Sequence, residues 1–161
     1  MTVSRPPEWS SDLSRAVHQE PHLTGIDLID EQHRVLFRMI VELREAHFGD
    51  ERPVIVIEHA SQLYQYALVH FETEEGLIES YAEPFLEDHR ATHQRLIKGI
   101  RDAVLEYKRS GNTIPSSLFD RLDEYCTHHV NNDDVEVLEH VRVGIRNERL
   151  ELLTSDPDRP R

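Results

Sequence analysis

Apolar residues recur along this chain at steps of three and four, the period of one helix face, and no run shows the alternation of a half-buried strand bounded by turn residues. Leu36, Phe37, Ile40, Val41 and Phe48 predict a first helix over roughly 29–48, with Asp30 as its N-cap and Gly49 at its stop. Ala60, Leu63, Tyr64, Ala67, Phe71, Leu77, Ile78 and Tyr81 form a second stripe, which Pro53 opens and Ala82, Glu83 and Pro84 break after about Ser80. A third helix runs from near Phe85 through Leu96, Ile97, Ile100, Val104 and Tyr107 to the Ser110, Gly111, Asn112 stop. Pro115, Ser116 and Ser117 open a fourth through Leu118, Leu122 and Tyr125. Four long helices with short connections predict an all-α fold, an up-down-up-down antiparallel four-helix bundle.

The flanks divide the chain further. Residues 1–27 are rich in Pro, Ser and charge, with Trp9 and Leu13 as apolar anchors, and are expected to form an N-terminal arm over a bundle spanning 28–135. Residues 136–161 are expected to be a C-terminal helical extension and polar tail, since Leu138, Val141 and Ile145 keep helical spacing. The extension reads most simply as packed on the core, and alternatively as a coupling or dimer helix.

Several positions on the inward stripes are not apolar. His70 and Glu74 stand four apart within the second stripe, and His89 and His93 stand four apart within the third. No Lys or Arg shares those faces. Burying an ionised carboxylate alone costs several kcal/mol or more, so Glu74 must be protonated, paired with a cation from another helix, or bound to metal. His33 on the first helix and His129 on the fourth add imidazoles, which makes metal the simplest choice. A second carboxylate follows His129, either Asp133 or Asp134. On an ideal helix Asp134 lies about 140° away from His129, so geometry favours Asp133 unless the helix carries a π-bulge. Mixed imidazole and carboxylate donors fit iron best, and seven are enough for two ions.

The strings GIDLIDEQH (25–33), HFETEE (70–75), HRATH (89–93) and HVNNDD (129–134) look like the ligand signature of the hemerythrins, single-domain bacterial forms in particular. The match covers roughly residues 24–135 in the right order. The resemblance implies a non-haem di-iron site, oxo- or hydroxo-bridged, that binds O2 reversibly for storage, delivery or scavenging. By that likeness Glu74 and Asp134 bridge two Fe ions, His89, His93 and His129 hold one, and His33 and His70 hold the other, which keeps an open position. NO and peroxide are further small ligands to be expected. Two carboxylates and one hydroxide leave a ferrous pair at roughly +1, less neutralised than carboxylate-rich oxygenase sites, which favours binding over oxidation. Phe37, Tyr66, Ile97 or Ile100 are expected to line a dry pocket.

Two other functions compete with O2 carriage. One is a sensor of O2, NO or redox state that signals to a partner protein through the arm or the C-terminal helix; the other is a di-iron peroxidase or an NO or iron oxidase. A non-enzymatic role is the leading expectation. A zinc-protease reading of HRATH fails because Arg90 stands where the general base is needed. Glu72 and Glu75 are expected to be solvated or beside the ligands, Cys126 to be packing, and Tyr125 to replace the family's usual aromatic. His18, His22, His47, His59, His128 and His140 are expected at the surface.

The net charge of −13 argues against nucleic-acid and anionic-membrane partners, which need clustered Lys and Arg. The single cysteine excludes an intrachain disulfide. The first residues contain no apolar signal region and no stretch long enough to span a bilayer, so a cytoplasmic location is expected.

Overall fold

The computed structural model describes residues 20–49, 51–110 and 114–154. Its elements are α1 (Asp27–Phe48), α2 (Pro53–Tyr81), a 3-10 turn (Glu83–Phe85), α3 (Leu86–Ser110), α4 (Ser116–Glu124), a π-helical segment (Tyr125–Asp134) and α5 (Val135–Thr154). The last three run on without a break, so the chain folds as an antiparallel four-helix bundle whose fourth rod is long. α1 packs on α2, α2 on α3, α3 on α4, and α5 returns onto α2. Trp9, Leu13 and His18 of the arm, Gly111 and Asn112, and the polar tail beyond Thr154 lie outside the described residues.

The first helix starts earlier than its sequence suggests. Ile26 is the N-cap, and Asp30 lies inside the first turn. Its carboxylate accepts hydrogen bonds from Thr24 N and Thr24 Oγ1 at 2.7 Å each and from Gly25 N at 3.2 Å. A carboxylate is favourable anywhere in that turn, because the unpaired N–H groups and the helix dipole are both positive there. Gly25, at φ 78°, lets the chain double back to meet it. Asp30 therefore organises the chain ahead of the helix instead of capping it.

Two apolar clusters fill the interior. The larger includes Leu36, Phe37, Ile40, Leu63, Phe71, Leu96, Ile100, Leu122 and Val130. The smaller comprises Ile29, Ile78, Ala82, Leu86, Val137, Leu138 and Val141. On every rod the chain passes between them through the polar positions: Ile29 and Leu36 flank His33, Phe71 and Ile78 flank Glu74, Leu86 and Leu96 flank His89 and His93, and Val130 and Val137 flank Asp134. The first two turns of α5 thus belong to the core, while Leu150 and Leu152 farther on are exposed. Among the described residues no helix is long and apolar enough to cross a membrane.

Candidate metal centre

His33, His70, Glu74, His89, His93, His129 and Asp134 are all buried, each at most 7% exposed. α1 supplies the first, α2 the next two, α3 the pair His89 and His93, and the π-helical segment the last two. π winding places residues five apart on one face, where α winding would align residues about four apart. Asp134 is consequently fully buried, with Oδ1 at 3.1 Å from His129 Nε2 and 3.3 Å from His89 Nε2, and Oδ2 at 3.2 Å from His33 Nε2. Asp133 stays at the rim, with Oδ2 at 3.3 Å from the opposite nitrogen of the same imidazole, His129 Nδ1. The two aspartates therefore touch one ring from its two ends.

Glu74 Oε2 lies 3.6 Å from His70 Nε2 and 3.4 Å from both His89 Nε2 and His93 Nε2. The donor atoms fall into two groups compact enough to share an ion: Glu74, His89, His93, His129 and Asp134 in one, and His33, His70 and Glu74 in the other. Glu74 belongs to both. The outer nitrogens of three rings are held in turn, His70 Nδ1 by Gln32 Oε1 at 3.1 Å, His93 Nδ1 by Glu75 Oε1 at 3.0 Å and His129 Nδ1 by Asp133. Such contacts fix the ring plane and turn the free nitrogen inward.

Metal-free, this arrangement is electrostatically unresolved. Burial pushes the His33 pKa down, His70 to about 3 and His129 to about 2, so these rings are neutral. Burial acts the same way on His93, but the Glu74 and Glu75 carboxylates beside it outweigh burial and lift that ring to about 9. Burial opposes ionisation of Glu74, yet the His89 and His93 rings 3.4 Å away hold its carboxyl well below the usual range. Asp134 is driven well above its usual range by burial and by the Glu74 charge beside it. Eight buried atoms find no hydrogen-bond partner: both ring nitrogens of His33, Nε2 of His70 and His89, and all four carboxylate oxygens of Glu74 and Asp134. Converging orphan lone pairs on neutral imidazoles and crowded carboxylates are a donor set suited to metal ions.

Aromatic rings wall the cluster beside the residues expected to line a dry pocket. Phe37 and Ile100 are buried in the larger apolar cluster and Tyr66 and Ile97 are only partly buried against it, whereas the Phe71 ring stacks on His93 at 3.8 Å and Tyr125 lies 5.2 Å from His129. The Tyr125 hydroxyl is buried without a partner. Gln32 carried no clear signal, since it meets a ring on another helix, whereas Glu75 and Asp133 were legible as neighbours of the ligands. His47 is half-buried between Phe48 and Phe119, unlike its expected surface setting. His22 is exposed but bound: its N–H donates to Asn131 Oδ1 at 2.9 Å, and its Nδ1 lies 3.0 Å from Asn131 O.

The family profile described as Hemerythrin HHE cation binding domain matches residues 24–141. The chain belongs to the hemerythrin family. Among its hemerythrin relatives, the Bacteriohemerythrin of Pseudomonas aeruginosa (strain LESB58) is 30% identical over 130 residues, covering 81% of this chain and 84% of that protein. That of Stenotrophomonas maltophilia (strain R551-3) is 28% identical over 137 residues, covering 85% and 82%. A crystal structure of a hemerythrin point mutant superposes with a TM-score of 0.67 at 17% identity, over 73% of this chain and 89% of that one, which shows the common fold. The hemerythrin match takes in the whole π-helical segment and the buried turns of α5.

Proposed function

We propose that this protein binds O2 reversibly at a non-haem di-iron centre, for storage, delivery or scavenging, a reading its hemerythrin family supports. One observation carries the reading: the buried donors form two groups that share Glu74 and are unequal in size. His89, His93 and His129 would hold one iron. His33 and His70 would hold the other, with Glu74 and Asp134 spanning both. The His33 side is poorer in donors, which leaves room for an external ligand there. Held at this place, a ferrous pair would supply the electrons for reversible O2 binding. The chain's own part is to orient the rings through Gln32, Glu75 and Asp133, and to keep water out with Phe71 and Tyr125. Anaerobic reconstitution with Fe(II) should give two irons per chain and, in air, a visible absorption band that fades on deoxygenation. A single metal per chain, or a band that never reverses, would overturn the reading.

A second reading, an O2, NO or redox sensor, draws support from the His22–Asn131 contacts, which tie the chain ahead of α1 to the segment bearing His129 and Asp134. Limited proteolysis of the ferrous and oxidised forms separates the two: cleavage near the N-terminus that changes with state favours the sensor, and identical patterns favour the carrier.

A further inference from the structure

Two surface hollows meet at the rim of the buried cluster, on either side of His129 and Asp133, and their charges are opposite. The first, of about 410 Å³, has Arg95, Lys98 and Arg121 in its wall, outnumbering Glu124 and Asp133. The second, of about 230 Å³, has Asp88, Asp133 and Glu136 in its wall and no cationic side chain other than imidazole. Its floor includes His89 and His129, so it reaches two members of the five-donor group. His89 is 7% exposed and its Nε2 has no hydrogen-bond partner. In this ring, then, one edge belongs to the acidic hollow and an inner nitrogen belongs to the cluster.

A closed bundle interior poses a problem of access for a hydrated dication, which must shed water and cross apolar packing unless a polar path exists. Clefts lined by one sign of charge focus the field and raise the local concentration of counter-ions. We infer that the acidic hollow is the uptake port of the metal centre: Asp88, Asp133 and Glu136 gather a hydrated divalent cation and pass it to His89 and His129, which lie between them and the interior. The inference rests on the metal-centre reading given under Proposed function. Asp88 and Glu136 do not join either group of donors close enough to chelate one ion, so the hollow collects cations without retaining them. The neighbouring basic hollow repels the same ions and gives the path its direction. Asp133 has a double position, facing the hollow with one role and holding His129 Nδ1 with another.

The test is the rate of metal uptake by the full metal-free chain, followed anaerobically through the visible absorbance of Co(II). The double substitution Asp88→Asn with Glu136→Gln spares Asp133 and alters only exposed positions. At low ionic strength it should slow uptake roughly tenfold. The difference should vanish near 1 M salt, where charges are screened beyond about 3 Å, and the plateau should stay at two metals per chain. A control, Glu42→Gln with Glu45→Gln, removes the same charge beside a different hollow on α1 and should load at the wild-type rate. Equal rates for the port variant and wild type, or equal slowing in the control, overturn the port while leaving the metal centre standing. A wild-type plateau below two metals per chain overturns the centre itself.

Discussion

Two of the places where this bundle buries charged side chains are finished in different ways. Arg44 on α1 and Asp123 on α4, 79 residues apart, form an ion pair beside the larger apolar cluster, with the guanidinium 5.2 Å from the Phe119 ring centre. One cation meets one anion, and only Arg44 Nε and Asp123 Oδ2 are left without a partner. The seven-residue cluster leaves eight such atoms and brings two carboxylates together. Folding pairs the charges of the first assembly, whereas the second keeps the donor set of a metal site. A buried charge alone does not announce a ligand site, whereas an excess of converging orphan acceptors does.

The sharpest way to break this contrast is to remove the metal. With free metal held at a thousand times its dissociation constant, each ion adds about 4 kcal/mol to stability. At about 2–4 °C per kcal/mol for a chain of this size, chelation of a two-metal protein should lower the thermal midpoint by roughly 15 °C or more. An unmoved midpoint would place the two assemblies in the same class.

Next in size are single substitutions. Asp123→Ala strands a buried guanidinium and should cost about 3–5 kcal/mol in urea titrations, with or without metal. Asp134→Ala removes a carboxyl that burial and the Glu74 charge keep from ionising, so the metal-free protein should be as stable as wild type or gain about 1 kcal/mol. The same variant should fail to take up two metals. If Asp134→Ala destabilises the metal-free chain as much as Asp123→Ala does, both groups are structural.

The smallest expected effect is the pH profile of the metal-free protein. His70 and His129 ionise at about 3 and about 2 when folded, against about 6.5 unfolded, so the unfolded chain binds more protons as pH falls below 6.5 and stability drops. For the two rings together the drop is about 2 kcal/mol between pH 6.5 and 5.5. His93 has the opposite sign: raised to about 9, it contributes fully below pH 6.5 and loses that contribution as pH rises through 9. Stability should therefore peak near pH 6.5, and Asp123→Ala should shift the curve down without moving its maximum.

The helices and the inward-facing His33, His70, Glu74, His89, His93 and His129 were legible because a helix repeats its face every three to four residues, and these residues keep step with their apolar neighbours. Asp133 and Asp134 were not separable on that basis, since nothing local in YCTHHVNNDD marks π winding. The choice is made by tertiary packing, which turns Asp134 inward and leaves Asp133 on the ring's outer nitrogen. Gln32, the ring that Glu75 holds and the Arg44–Asp123 pairing were hidden for a related reason. Each acts on a residue from another helix, and sequence spacing holds no information about which rods become neighbours. Asp30 was misassigned because several first-turn positions share the same favourable field, and the turn at Gly25 decides between them.

The π-helical segment also has a bearing on how the gene can change. Deleting one codon between His129 and Asp134 would bring those two residues four apart, and a rod relaxed to ordinary winding would keep both on one face. Val137, Leu138 and Val141 would then stay on the side that meets Ile29, Ile78 and Leu86. The irregular winding thus takes up one surplus residue without disturbing the packing beyond it, so a gain or loss of that codon leaves the rest of the rod in step.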